Sequence, residues 1–223
     1  MPVLVCSDRD GTINEDDNFY LGSKPNWREQ VRILDGVVEG IKLLRRIPNM
    51  HFFIVSNQSG VALDEDEFAE LTEERMHEVN QFIVEELHRK GALVNGYFAC
   101  PFVDEDYTRK ATVKGRKVNP NYIRSDHPDL KPRIGMLEKA AQAIGATLSD
   151  PALRLYVIGD RLTDVQMGLN ARGKGILIAS PKTQELGDVK AVERLEVEYP
   201  DKVYIAKNYL AASEWIYNSL AAN

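Results

Sequence analysis

Two carboxylates stand two residues apart in Asp8-Arg9-Asp10-Gly11-Thr12, and a third lies far downstream in Gly159-Asp160-Arg161-Leu162-Thr163-Asp164. Between them come Ser56-Asn57-Gln58-Ser59-Gly60 and Lys131-Pro132. If the strands that carry Asp8 and Asp160 are neighbours, the two carboxylates repel each other unless a cation sits between them. Hard oxygen ligands with room for water and a phosphate oxygen suit Mg²⁺. A carboxylate beside such a metal attacks phosphorus to give an aspartyl-phosphate, dividing one hard step into two. Asp10 reaches the leaving-group oxygen as general acid and later deprotonates water, while its backbone carbonyl joins Asp8 and Asp160 in holding the metal. Ser56 and the backbone amide of Asn57 suit phosphate oxygens, and Lys131 balances the developing anion. Gly11 lets the chain turn tightly after the carboxylates.

Each cluster alone has an ordinary reading. Asp-x-Asp-Gly occurs in turns and calcium loops, Ser-Asn-Gln-Ser-Gly is turn chemistry, and Gly-Asp after a strand serves equally as a loop and helix cap. Lys131 by itself carries no signal. Their joint meaning depends on the elements that position them.

Short β-branched runs alternate with stretches of helical period, the pattern of an α/β protein with a central parallel sheet flanked by helices. Val3–Ser7, Phe52–Ser56, Gly96–Ala99, Arg154–Ile158 and Gly175–Ala179 read as strands, with Val203–Ala206 as an edge strand. Helix faces are marked by Val37, Val38, Ile41 and Leu44, and by Met76, Val79, Ile83 and Leu87. Others are marked by Leu137, Ala140, Ala141 and Ile144, by Asp164–Ala171 and by Leu210–Leu220. In an open parallel sheet ligands bind outside the carboxyl ends of the strands. The polar clusters fall at such ends or at a helix start, so the pattern predicts their convergence on one edge.

The segment Tyr107–Arg133 fits neither period. It holds eight basic residues, Arg109, Lys110, Lys114, Arg116, Lys117, Arg124, Lys131 and Arg133, against Asp126 and Asp129. It carries +6 in a chain of net charge −6. A charge run is often a solvated face, but a long irregular stretch in a compact domain is more often functional. The functional reading is a basic insertion at about residues 100–133 in which Arg109, Lys110, Arg116 and Lys117 hold a second anionic group of the substrate.

The remaining composition bounds the alternatives. At 223 residues and 43% apolar content the chain can bury a full core, and no linker divides it, so one domain over 1–223 is expected. No apolar run reaches the ~18–20 residues of a membrane span. The opening residues lack a basic n-region, and the two cysteines, Cys6 and Cys100, cannot form a disulfide framework. A cytoplasmic protein, a monomer or small homo-oligomer, is expected. No Gly-x-Ser-x-Gly elbow and no complete Gly-x-x-x-x-Gly-Lys-Ser/Thr loop occurs. The negative net charge argues against nonspecific duplex binding, despite Tyr107 and Tyr122 in the basic segment.

Asp8 to Thr12 after the first strand, Ser56 after the second, then Lys131, then Gly159-Asp160 with Asp164 four further on, together resemble the haloacid dehalogenase (HAD) superfamily of aspartate-nucleophile phosphatases. The resemblance spans about residues 3–180 and implies a Rossmann-like fold, Mg²⁺ dependence, Asp8 as nucleophile and Asp10 as acid/base. Asp8-Arg9-Asp10-Gly11-Thr12-Ile13-Asn14, Ser56-Asn57-Gln58-Ser59-Gly60 and Lys131-Pro132-x-x-Gly135-Met136-Leu137 are similar to one branch in particular. It is the group, without a large cap domain, that holds heptose 1,7-bisphosphate and histidinol-phosphate phosphatases. The implied activity is that of a phosphomonoesterase on a small phosphorylated metabolite, a sugar bisphosphate first. Histidinol phosphate, a polynucleotide 3′-phosphate or a non-catalytic phosphate-binding module are the alternatives. Members of that group often carry zinc on a Cys-x-His…Cys-x-Cys loop. Here Cys100 is present, Phe102 stands in place of the His, His127 and Asp129 replace the later cysteines, and Leu130 replaces a basic residue.

Overall fold

The computed structural model describes residues 1–16 and 20–221. Among the described residues six strands form one fully parallel sheet: β1 Val3–Ser7, β2 Met50–Asn57, β3 Gly96–Cys100, β4 Arg154–Gly159, β5 Lys174–Ile178 and β6 Val203–Ala206. Their order is β3-β2-β1-β4-β5-β6. Between them run α1 Trp27–Gln30, α2 Val37–Leu44, α3 Glu73–Arg89, α4 Glu105–Val113 and α5 Gly135–Ala143. These are followed by α6 Leu162–Asn170, α7 Pro181–Glu185, α8 Asp188–Glu198 and α9 Tyr209–Ala221.

The sheet is parallel because each strand before β6 is followed by a crossover that returns to the same edge, and its central strands are covered on both faces. All five residues of β1 are buried, which is why it reads as an unbroken apolar run rather than an alternation. Val5, Phe52, Ile54, Tyr156 and Ile158 pack with α2, α3 and α9 through Ile41, Leu44, Ile83, Leu87 and Ile216. Leu4, Cys6, Phe53, Val55 and Val157 point the other way, onto Met136, Leu137 and Ala140 of α5 and Met167 of α6. The register pairs Val5 with both Phe52 and Tyr156, so side chains of one pleat line up in a layer across three strands. Among the described residues no large cap domain interrupts this Rossmann-like arrangement, and no helix is long and apolar enough to cross a membrane.

The chain leaves β1 toward β2 and β3 on one side and reaches β4, β5 and β6 on the other. The reversal opens a crevice at the carboxyl ends of β1 and β4, where ligands bind in this sheet order. Asp8 follows β1 directly and Asp160 follows β4 directly.

Two parts of the sequence reading change. The stretch 107–133 is not wholly irregular: it opens inside α4, whose N-cap Asp104 accepts the backbone N–H of Tyr107 at 2.6 Å, and a single 3₁₀ turn covers Pro120–Tyr122. Hydrophobic period missed α4 because Ala111 is its one buried residue. The signal that was present is the capping Asp104 followed by Glu105 and Asp106 in the first turn. Likewise α7 and α8 were not read. Their start signals, Ser180 with Pro181 and the left-handed Gly187, are local caps without a long apolar stripe.

Candidate active site

The backbone amide of Asp8 donates to the carbonyl of Ile158 at 2.8 Å, which continues the β1–β4 pairing one residue past the strand and brings Asp8 beside Asp160. The chain then turns through Gly11, with φ of 76°. A Cβ there would lie 2.4 Å from Asp160 Oδ2, so both conformation and space demand glycine. Gly159 has a matching role, since a Cβ on it would lie 2.2 Å from the Asp164 carboxyl. Asp164 therefore folds back from the first turn of α6 over the strand end, its Oδ2 accepting the Arg161 amide at 3.1 Å.

The result is a buried trio. Asp8, Asp160 and Asp164 offer oxygens that all lie within 4.8 Å of one another, and among the described residues no other group of three or more His, Cys, Asp or Glu does so. One cation faces them: Lys131 Nζ donates to Asp8 at 2.5 Å and to Asp164 at 2.7 Å. Burial opposes the charge on Lys131, yet Asp164 and Asp8 push its pKa upward. The carboxylates remain in excess. Burial first, with Asp164 and Asp10 adding and Lys131 opposing, pushes Asp8 up to about 7. Burial, then Asp8 and Asp164, pushes Asp160 up to about 8. A compact all-oxygen set with more negative than positive charge fits a hard divalent cation.

This charge excess has a measurable consequence. Carboxyls with folded pKa values above their unfolded ones bind extra protons in the native state, so stability falls as pH rises from about 4 to 8. The metal-free protein is expected to lose roughly 5 °C of Tm between pH 5 and pH 8 through this cluster. A divalent cation should restore more at pH 8 than at pH 5. Thermal melts of wild type and Asp160→Asn, with and without chelator, check this: the variant should show the flatter profile. Equal pH profiles would exclude Asp160 as the source.

Asp10 faces elsewhere. Its Oδ1 accepts from Arg9 Nε at 3.0 Å and Asn14 Nδ2 at 3.1 Å, and its Oδ2 accepts from Arg9 Nη2 at 2.7 Å and Gln58 Nε2 at 2.9 Å. Burial would raise its pKa, but the Arg9 charge and these hydrogen bonds outweigh that and lower it. Arg9 is itself buried and also donates to Asn80 of α3 at 3.1 Å and to Gln58 Oε1 at 2.8 Å. Gln58 donates to Ser56 Oγ at 2.7 Å, while Asn57 Oδ1 accepts the Lys131 amide at 3.3 Å. The structure thus brings Asp8, Asp10, Ser56, Asn57, Lys131 and Asp160 to one cavity of about 710 Å³. The Asp10 carboxylate is not part of the trio; Asp164 is. Asp164 was visible in its motif but received no role, and Arg9 and Gln58 stood unassigned inside theirs.

The basic segment divides. Lys110 lines the cavity, together with Lys114 one turn further along α4. Arg109 is exposed and ion-pairs with Asp106. Arg116 donates to the Tyr20 hydroxyl at 2.8 Å and lies 5.1 Å over the Tyr20 ring and 5.3 Å over Phe68. The backbone of Lys117 is tied to Glu65 and Asp64. The last three do not line the cavity. Lys182 and Arg161 do, Lys182 ion-paired with Asp16 and Arg161 with Asp188.

Cys100, His127 and Asp129 do not converge. Burial, against weaker local effects, raises the Cys100 thiol to about 11, which keeps it protonated. His127 packs on Phe102 with centroids 4.2 Å apart and its Nδ1 accepts the Asp129 amide at 3.2 Å. Asp129 ion-pairs with Lys139. Phe102, which also faces Tyr122 and lies under Arg124, closes the loop by aromatic packing.

Residues 130–207 match the family model of HAD-hydrolase-like proteins. With the fold and the aspartate cluster, this match makes the chain similar to the phosphatases of the haloacid dehalogenase superfamily. Within that class it is similar to the D-glycero-D-manno-heptose-1,7-bisphosphate 7-phosphatases. The protein of that name from Thermosynechococcus vestitus is 28% identical, over 97% of this chain and 96% of that one. The one from Chlorobaculum tepidum is 26% identical over 82% of this chain and 81% of its own length. The crystal structure of a D,D-heptose 1,7-bisphosphate phosphatase from B. bronchiseptica, complexed with magnesium and phosphate, shares the fold with a TM-score of 0.67. It is 19% identical, over 98% of this chain and 99% of that one.

Proposed function

We propose that the chain is a Mg²⁺-dependent phosphomonoesterase that removes one phosphate from a sugar bisphosphate, heptose 1,7-bisphosphate being the first candidate. The observation that carries this reading is the position of Asp8. Its carboxylate lies within 4.8 Å of those of Asp160 and Asp164, accepts from Lys131 and lines the same cavity as Ser56 and Asn57. Asp8, Asp160 and Asp164 would hold Mg²⁺, which would supply positive charge against the carboxylates and the phosphate. Asp8 forms the new O–P bond while the ester P–O bond breaks, and Asp10, which takes up a proton from solvent as substrate binds, delivers it to the departing alcohol oxygen. Water then attacks phosphorus, gives its proton to Asp10 and releases phosphate, restoring the Asp8 carboxylate. The ionised Asp10 held by Arg9 is the form that accepts this second proton. Lys131 and the Ser56–Asn57 edge hold the phosphoryl oxygens.

Specificity for a bisphosphate rests on the two lysines of α4 rather than on all four residues of the basic segment. Lys110 and Lys114 line the cavity, and a second phosphate of the substrate meets them there. Binding of that kind is shared by ground and transition states. For Lys110→Ala/Lys114→Ala we expect KM for a sugar bisphosphate to rise about tenfold with kcat within about twofold. The effect should shrink at high salt. A small aryl phosphate should be hydrolysed as by wild type.

The deciding experiment is hydrolysis of a panel comprising heptose 1,7-bisphosphate, its monophosphate, histidinol phosphate, a 3′-phosphorylated oligonucleotide and an aryl phosphate. Each is assayed with Mg²⁺ and with chelator. The bisphosphate should give the highest kcat/KM, and chelator should abolish turnover. A preference for either non-sugar substrate would overturn the substrate assignment, and no turnover of any would overturn catalysis.

A further inference from the structure

At the far end of the sheet from the aspartates, where β4 and β5 begin, a second cavity of about 340 Å³ opens between the turns at 148–153 and 171–174. It shares no lining residue with the first, and the six residues of β4 separate the two by roughly 20 Å. Arg154, Arg172 and Lys174 line it against one carboxylate, Asp150. That carboxylate is engaged locally, its Oδ1 accepting the Ala152 amide at 2.8 Å. Among the described residues none of the three cations has an ion-pair partner. Lys174 is half-buried, with its ammonium 5.1 Å from the centre of the Trp215 ring and 5.8 Å from that of Tyr156. Asp201 attracts it only through space.

The backbone at Arg172 adds an independent observation. Its φ is 60°, its amide donates to Leu169 and that of Gly173 donates to Gly168, both at 2.9 Å. This is the left-handed turn that ends α6, a position where glycine is the ordinary occupant. Asn49 is the other described non-glycine residue with positive φ, and asparagine tolerates that region far better than arginine. The arginine is thus held in a strained conformation, while its guanidinium makes no ion pair among the described residues.

We propose that this cavity binds a small phosphate-bearing anion of at least two negative charges. Arg154 and Arg172 supply planar donors that match phosphate oxygens, and Lys174 supplies a partly desolvated point charge. The volume suits a small metabolite rather than a macromolecule. The site does not depend on which substrate the aspartates serve.

Arg172→Gly separates binding from folding, because glycine relieves the left-handed backbone while removing the charge. Inorganic pyrophosphate is titrated into the ¹⁵N-labelled full chain in the presence of chelator, and amide shifts are followed. In wild type the Gly173 and Lys174 amides should shift saturably. Arg172→Gly should keep a near-wild-type Tm and weaken that isotherm at least tenfold, with Arg154→Ala acting in the same direction. Shifts at Ser56 and Asn57 should be the same in all three proteins. Shifts at Gly173 and Lys174 that never saturate, or equal affinities in wild type and both variants, would show a merely solvated basic edge and overturn the proposal.

Discussion

Asp8→Asn is expected to lower turnover by at least about 10⁴-fold, on the scale seen when a nucleophile is removed from a group of residues that act as a unit. The amide is nearly isosteric with the carboxylate, so the fold survives, but it is a poor nucleophile and a weaker ligand for a hard cation. A loss of activity from unfolding would look different. Asp8 is buried with its pKa pushed up to about 7, chiefly by burial, so a neutral replacement relieves repulsion with Asp160 and Asp164. The metal-free variant should therefore melt at or above wild type at pH 8, while its response to Mg²⁺ is reduced. Single-turnover hydrolysis and thermal melts on the same preparation check both halves. A variant with wild-type turnover would remove Asp8 from the nucleophile's place.

Lys131→Met should damage stability and catalysis together. The ammonium is almost wholly buried and bonds two carboxylates, Asp8 at 2.5 Å and Asp164 at 2.7 Å. Removing one partner of a buried ionic cluster costs about 3–5 kcal/mol, because the remaining charges lose their compensation. In a chain of this size that is roughly 6–15 °C of Tm. The loss should be smaller at pH 5 than at pH 8, since protonating Asp8 and Asp160 removes the uncompensated charge. Mg²⁺ should recover part of the stability by supplying positive charge. It should not recover turnover, which is expected to stay about 10²–10³-fold down without the cation that faces the phosphoryl oxygens. Full recovery of kcat by Mg²⁺ would mean that Lys131 serves only to neutralise the aspartates.

The strands and the residues directly after them were legible because both follow from local pattern. A strand buried on both faces is a short apolar run, and the polar residue that ends it must lie at the sheet edge, as Asp8 does after β1 and Asp160 after β4. The basic segment was less legible. Choosing Arg109, Lys110, Arg116 and Lys117 by adjacency treats the segment as an extended loop, in which neighbours act together. On a helix, residues four apart share a face and adjacent ones do not, so Lys110 and Lys114 reach the cavity while Arg109 turns to Asp106. The chain offered no apolar stripe from which to read that helix, only its Asp104 cap.

Arg9 and Gln58 illustrate a second limit. In sequence each sits inside a polar motif, and nothing local distinguishes them from turn residues. Folding places Arg9 against Asn80 and Gln58, 71 and 49 residues away, and gives it the task of holding Asp10 ionised. Asp164 gains its place only because Gly159 leaves room for it over the strand end.

The sequence by itself determined which chemical groups would stand at the carboxyl edge of the sheet, because strand ends and glycine turns are set by residues within a few positions of one another. Only the tertiary structure decided which carboxylates share Lys131, which one turns to Arg9 and which cations face the cavity. Those choices are contacts between residues as far as 123 positions apart, and the electrostatics of a buried group depends on what surrounds it in space rather than along the chain.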